Sequence, residues 1–217
     1  MPTATNAIVA IDVLLEPDAR MLQRAEANNA RLLKAFPKGF ALDAAHHPHI
    51  TLFQCFVRAD ELDNVYAAVG KVFENANVTS MNLEGFKYYY AAVPGDSGVA
   101  GICARPTAVL LKLQADVIAA TTPFTVKTAT IAAFTAPHDN PATDAAMIEY
   151  VAAFASKCAG EHFNPHVSTG FGSRAYLDEM LAEPFEPFTF SPADAAVYQL
   201  GPFGTAAKKL KGFYLKH

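Results

Sequence analysis

Two short strings of the same kind recur at distant points of this chain and constrain its fold more than any other feature. They are Pro48-His49-Ile50-Thr51 and Pro165-His166-Val167-Ser168, 117 residues apart. Each lies in an apolar run that predicts a β-strand. Because side chains alternate across a strand, the histidine and the hydroxyl residue of each string share one face. Ile50 and Val167 then point into the opposite layer.

A similar succession of elements surrounds each string. Each half of the chain, 1–96 and 97–217, is predicted to run strand, helix, His-bearing strand, helix, strand. Strands are predicted at 7–15, 49–57, 80–92, 99–104, 165–171, near 186–200 and at 209–215, and helices at 17–35, 59–76, 106–120, 143–159 and 173–182. The sequence pattern for a strand at 128–135 is weaker than for the other strands. We therefore expect one domain, 1–217, of two pseudo-symmetric halves that could exchange strands.

Composition limits the classes of partner. The chain is 52% hydrophobic and 18% charged, which favours a folded protein over a disordered one. Its net charge of −4 argues against duplex DNA or another extended polyanion, whereas a small phosphorylated ligand remains compatible. Three widely spaced cysteines, the lack of a signal-peptide pattern and the lack of a long apolar run predict a cytoplasmic protein without a membrane span. We expect a monomer.

The residues of the two strings suit phosphoester chemistry. An imidazole titrates near pH 6.5, so His49 can be neutral while His166 is charged, or the reverse. The neutral ring removes a proton from the attacking group, and the charged ring protonates the leaving oxygen. Thr51 and Ser168 can donate hydrogen bonds to the non-bridging oxygens. This scheme predicts catalysis without a metal or another cofactor.

The strings HPHITLF (47–53) and NPHVSTGFG (164–172) resemble the duplicated His-x-Thr/Ser-x signature of the 2H phosphoesterases. This family includes bacterial RNA 2′,5′-ligase-like proteins and 2′,3′-cyclic nucleotide phosphodiesterases. The resemblance extends along nearly the whole chain in motif order and spacing, with Ser168 in place of threonine. It implies a bilobal, pseudo-two-fold α+β fold, in which two antiparallel sheets flank a central cleft and helices lie outside. It also implies catalytic roles for His49 and His166 and phosphate-binding roles for Thr51 and Ser168.

Several aromatic residues are candidates for stacking on a base or lining the cleft: Phe53, Tyr88, Tyr90 and Phe171. Phe53 continues the His49 face by one step, and alternation places Tyr88 and Tyr90 on one face. Packing within the sheet or core is the alternative for these rings.

The histidines also have less specific interpretations. Either His49 or His166 alone could be a structural histidine, and only their pairing favours catalysis. His46 and His47 could suggest a metal site with His49, but without a carboxylate or thiolate set they are better explained as surface residues before a strand.

The expected activity is metal-independent hydrolysis of a 2′,3′-cyclic phosphate on a nucleotide or an RNA end. The alternatives are reversible RNA 2′,5′-ligation at the same site and a nucleotide-binding module without catalysis.

Overall fold

A computed structural model of this chain describes residues 7–137 and 141–215. The strands are β1 (Ile8–Pro17), β2 (Ile50–Arg58), β3 (Leu83–Val93), β4 (Ser97–Ala104), β5 (Thr125–Val126), β6 (His166–Ser173), β7 (Phe188–Phe190), β8 (Pro192–Leu200) and β9 (Ala206–Phe213). The helices are α1 (Ala19–Ala35), α2 (Leu62–Asn75), α3 (Ala108–Thr121), α4 (Pro141–Ala152), α5 (Phe154–Lys157) and α6 (Arg174–Ala182). Within these residues, no helix combines the length and the apolar character needed to cross a membrane.

The structure corrects three of the elements that the sequence predicts. Pro17 ends β1 instead of opening a helix, and the carboxylate of Asp18 caps α1 by accepting from the backbone N–H groups of Arg20 and Met21. The strand considered at 128–135 is absent from this described segment, because the N–H groups of Ala133 and Phe134 bond locally in a 3₁₀ turn. The helix predicted at 143–159 is divided into α4 and α5.

The strands pair antiparallel in the order β7-β3-β4-β6-β2-β1-β8-β9, with β5 also beside β2. Within the described residues, β2 and β6 join through one pair, Ile50 with Val167. The two predicted sheets are therefore two strand groups connected at this point. β3 pairs with β4, while β8 and β9 lie beside β1, so strands from each half of the sequence occur in both groups. Two-fold pseudo-symmetry itself stays a prediction.

A layer of helices lies behind the histidine-bearing strands. α1 packs on β6, and α2 packs on α3, which also contacts β2. On α1, Met21, Ala25 and Leu32 recur at helical spacing and are buried. Ile50 and Val167 belong to the main core cluster, with 1% and 0% of their surface exposed. The strand junction is thus fixed from behind by packed apolar side chains.

Candidate active site

A cleft of about 440 Å³ lies at the junction of the two strand groups. The four residues predicted from the duplicated strings, His49, Thr51, His166 and Ser168, all line it. The structure therefore brings both strings to one place. The volume lies within the range of roughly 300–1,000 Å³ that is usual for small-molecule sites. The catalytic and phosphate-binding roles of the four residues stay predictions.

The pairing of Ile50 with Val167 determines how the two strings face each other. Their strands run antiparallel, so His49 lies across from Ser168 and Thr51 lies across from His166.

Equivalent backbone hydrogen bonds orient the two imidazoles. His49 Nδ1 lies 2.6 Å from the carbonyl oxygen of His47, and His166 Nδ1 lies 2.7 Å from that of Asn164. Because a carbonyl only accepts, each Nδ1 carries the proton and donates it. Each accepting residue precedes a proline, which restricts that residue to extended backbone and so fixes its carbonyl. In both rings, Nε2 is the nitrogen that the backbone does not hold.

The surroundings of His49 favour its charged form. Nε2 lies 3.4 Å from Oδ2 of Asp12, a carboxylate with no exposed surface. Burial acts to lower the pKa of His49, but the Asp12 carboxylate and the His47 carbonyl outweigh it, and the pKa is raised.

The surroundings of His166 favour its neutral form. Burial lowers its pKa, and the nearby charge of His49 lowers it further, against the opposing influence of the Asn164 carbonyl and Asp12. The ring of Tyr89 lies against the imidazole, with centroids 4.9 Å apart. The two histidines thus share an orientation, but their pKa values are shifted in opposite directions.

Asp12 and Gln54 are site residues that the sequence-based reasoning missed. Thr51 Oγ1 donates to Asp12 Oδ2 over 2.8 Å, and Gln54 Nε2 donates to the same oxygen over 2.9 Å. The available signal was a lone carboxylate inside the apolar run AIVAIDVLL. Gln54 itself lines the cleft.

Matching β-bulges follow the two strings. Leu14 pairs with Thr51 and Val13 with Phe53, so Leu52 is the extra residue in β2. In β6 the extra residue is Thr169, also directly after the hydroxyl residue. A bulge reverses which face the following side chains occupy.

The expectation that Phe53 lines the cleft is therefore corrected. Its side chain is buried in the main core, where it contacts Phe154. Gln54 takes the place on the cleft side because of the extra residue in β2.

The expectations for Tyr88 and Tyr90 are also corrected. Tyr88 packs against Phe185 and Arg31, and the Tyr90 hydroxyl donates to Asp178 on α6. These two tyrosines share a face as predicted, but it is the helix-covered face, and Tyr89 lines the cleft instead.

An aromatic cluster borders one end of the cleft and comprises Phe40, His46, Phe171 and Phe203. Phe40 stacks on His46 with centroids 4.6 Å apart and planes 7° apart. The predicted residue Phe171 lies behind the cleft surface, with its ring set edgewise to Phe40 and Phe203. Phe203 is 45% exposed and has a φ of 59°, which non-glycine residues rarely adopt. Strained backbone of this kind is often found at functional sites.

All five histidines that the structure describes line the cleft: His46, His47, His49, His162 and His166. His46 and His47, interpreted as surface residues before a strand, are partly exposed on the wall of the cleft directly before β2. His46 bonds to Asp43, and His47 stacks on Tyr198.

Among the described residues lining the cleft, none is Lys, Arg, Asp or Glu. Across residues 7–137 and 141–215, no three His, Cys, Asp or Glu side chains are grouped so as to hold a metal ion.

The family model of the 2′-5′ RNA ligase superfamily matches residues 21–200. The structure of TT0787 from Thermus thermophilus is similar, with a TM-score of 0.52 and 17% identity over 95% of this chain and 98% of that one. This likeness confirms the expected α+β fold.

Two further solved structures are more distant. E. coli LigT complexed with 3′-AMP is 12% identical over 97% of this chain and 99% of that one, with a TM-score of 0.48. The MHV ns2 PDE domain is 10% identical over 94% and 99%, with a TM-score of 0.46. No curated protein matches this chain in sequence.

Proposed function

Because this chain belongs to the 2′-5′ RNA ligase superfamily of 2H phosphoesterases, we propose that it hydrolyses 2′,3′-cyclic phosphates of nucleotides or RNA ends. The family consists of phosphodiesterase- and ligase-type enzymes. The observation that carries the proposal is the matched orientation of His49 and His166, whose Nδ1 atoms are both held by a carbonyl two residues earlier. Two imidazoles in one cleft with opposite pKa shifts are suited to paired proton transfer.

The proposed reaction is an in-line attack of water on the cyclic phosphorus. One imidazole accepts a proton from water as the new P–O bond forms. The other protonates the ribose oxygen as the ring P–O bond breaks, giving a nucleoside monophosphate. Each positioned acid or base contributes on the order of 10²–10⁴-fold. Since the two rings supply both proton transfers, the scheme requires no metal.

The hydroxyls of Thr51 and Ser168 complete the proposed site. Ser168 lies across from His49 and can donate to a non-bridging oxygen that gains charge in the transition state. The hydroxyl proton of Thr51 is directed to Asp12, so Thr51 must turn this proton to the substrate before it can donate there.

The lining of the cleft favours a small substrate with little charge. The five histidines carry positive charge only when protonated, and no described lining residue is Lys or Arg. A cyclic nucleotide brings a single phosphodiester charge, whereas an RNA end brings one more for each linkage. The aromatic cluster offers Phe40 and Phe203 as surfaces for a base. We therefore infer a preference for cyclic mononucleotides.

The direct test measures hydrolysis of 2′,3′-cyclic nucleotides in EDTA by the wild type, His49→Ala and His166→Ala. We expect turnover without added metal and a loss of roughly 10²–10⁴-fold in kcat for each variant. Tyr90→Phe, which removes a hydroxyl on the helix-covered face of β3, is the control and should retain activity. Full activity in either histidine variant would contradict the two-histidine mechanism.

The second candidate is RNA 2′,5′-ligation or its reversal, because the chain belongs to the 2′-5′ RNA ligase superfamily. A ribose hydroxyl would replace water at the same two histidines. Matched assays with a cyclic mononucleotide and a cyclic-phosphate oligonucleotide with an acceptor strand would distinguish the reactions. Nucleotide binding without turnover of either substrate would instead indicate a binding module.

A further inference from the structure

Asp12 is a buried carboxylate at the centre of a group of polar contacts. It has no exposed surface, and it lies on β1 between the core residues Ile11 and Val13. Its Oδ2 is 2.8 Å from Thr51 Oγ1, 2.9 Å from Gln54 Nε2 and 3.4 Å from His49 Nε2. No donor within the described residues reaches Oδ1. An ionised carboxylate is costly to bury unless a positive charge or hydrogen bonds compensate it.

We propose that Asp12 is a positioning residue that holds His49 as an imidazolium, so that His49 is the acid and His166 is the base of the reaction. This inference rests on the proposed two-histidine hydrolysis and deepens it, because the duplicated strings alone do not distinguish the acid from the base. Asp12 acts through His49 and does not itself line the cleft.

The two strings differ in the group that approaches each imidazole. His49 faces the Asp12 carboxylate, whereas His166 faces the Tyr89 ring. On β4, Gly101 pairs with Ser168 and presents no side chain. A Cβ atom there would lie 2.9 Å from the Val167 carbonyl oxygen and 3.5 Å from both rings, so glycine allows Tyr89 and His166 to pack closely. A carboxylate contacts His49 and an aromatic ring contacts His166, so the two histidines are not equivalent.

The other titratable groups near Asp12 leave His49 as its counter-charge. Cys55 on β2 and Tyr150 on α4 both have their pKa raised, first by burial and also by Asp12, so both are neutral at pH 7. Glu16, farther along β1, is engaged by Lys209 at 2.8 Å and by the Tyr198 hydroxyl at 2.7 Å, and it faces His47 at 3.6 Å. Among the described groups contacting Asp12, His49 is the one that can carry positive charge.

The proton balance follows from this arrangement. His49 starts protonated, with Nε2 facing Asp12, and its Nε2 proton passes from this contact to the leaving ribose oxygen as the P–O bond breaks. His166 starts neutral and takes a proton from the attacking water. The cycle ends with His49 neutral and His166 charged, and exchange with solvent restores both. The Asp12 carboxylate, 3.4 Å from His49 Nε2, favours the return of the proton to His49.

The test compares wild type with Asp12→Asn, which keeps the shape of the side chain and removes its charge. We measure kcat/KM for 2′,3′-cyclic AMP from pH 5 to 9, and we titrate the ring of His49 by ¹⁵N-edited NMR. In the variant, the high-pH limb of the kcat/KM profile should move to lower pH by at least about one unit. The value of kcat/KM at pH 7.5 should fall roughly 10- to 100-fold. Glu16→Gln is the matched control on the same strand and should shift this limb much less.

The NMR titration separates failure of this inference from failure of the proposed function. If the wild type hydrolyses no cyclic phosphate, a fall in the His49 pKa on Asp12→Asn still supports the role of Asp12. If activity is present but the His49 pKa and the high-pH limb do not move, the inference is wrong while the phosphodiesterase stands. Should Asp12→Asn fail to fold, the wild-type titration decides. A His49 pKa above that of His166 supports the assignment, and the reverse order overturns it.

Discussion

Ile50 on β2 pairs with Val167 on β6, and this pair joins the two strand groups within the described residues. Both side chains are buried in one core cluster, and the residues flanking them are His49, Thr51, His166 and Ser168. The alignment of the proposed catalytic groups therefore depends directly on apolar packing behind them.

We expect Val167→Ala to affect both stability and catalysis. Removing two buried methyl groups should cost roughly 2 kcal/mol of unfolding free energy, measured by urea denaturation. Val69→Ala on α2 removes the same groups from the same core, on an element that carries neither string, and is the matched control. Val167→Ala alone should also lower kcat at a temperature where both variants are folded. Equal kcat values would show that the junction does not align the site.

The pH dependence of hydrolysis should report the two histidines separately. His166 must be neutral to act as base, and its lowered pKa places the low-pH limb of kcat/KM below pH 6.5. His49 must be protonated to act as acid, and its raised pKa places the high-pH limb above pH 6.5. Activity should therefore be greatest between the two limbs and fall on both sides. A profile that rises continuously from pH 5 to 9 would contradict the assignment.

The sequence predicts the four central residues because alternation holds over two positions. In each string, the histidine and the hydroxyl residue are i and i+2 on one strand, and both reach the cleft. Beyond that distance the alternation fails, since an extra residue follows each hydroxyl residue at Leu52 and Thr169. No local signal in the strings announces these bulges, and Phe53 is consequently buried in the core.

Asp12 could not be predicted as a site residue for a second reason, which is strand register. Its contacts depend on the register of β1 against β2, in which Asp12 pairs with Gln54, 42 positions later. Periodicity indicates that both segments are strands, but it does not give their mutual register. In the same way, the helix-covered face of β3 receives Tyr88 and Tyr90 because α6 packs there, and a strand pattern does not reveal which face a helix covers.

Phe203 should contribute to binding a base and have little influence on the chemical step. Stacking on an aromatic ring is worth about 1–3 kcal/mol per base, so Phe203→Ala should raise KM for cyclic AMP roughly 5- to 150-fold with a smaller change in kcat. Tyr90→Ala removes an aromatic ring outside the cleft and should leave KM unchanged. Initial-rate kinetics check both variants. An unchanged KM in Phe203→Ala would remove this ring from the base site.

Asn29 on α1 connects the helix layer to the segment of the aromatic cluster that carries Phe40. Its amide Nδ2 donates to the carbonyls of Thr169 and Phe40 over 2.8 and 2.9 Å, and its Oδ1 accepts from the Leu42 N–H over 3.2 Å. It thereby fastens the segment that carries Phe40 to the bulge of β6.

Asn29→Ala should leave these buried backbone groups without partners and cost about 1–3 kcal/mol of unfolding free energy. It should also raise KM for cyclic AMP, because the ring of Phe40 would lose its fixed position beside His46. Asn64→Ala removes an exposed amide that bonds Glu61 on the surface, and its unfolding free energy should change by less than about 0.5 kcal/mol. Thermal unfolding and initial-rate kinetics measure both effects. If Asn29→Ala loses stability but keeps the wild-type KM, Phe40 does not take part in binding the base, and the aromatic cluster acts only as packing for the segment.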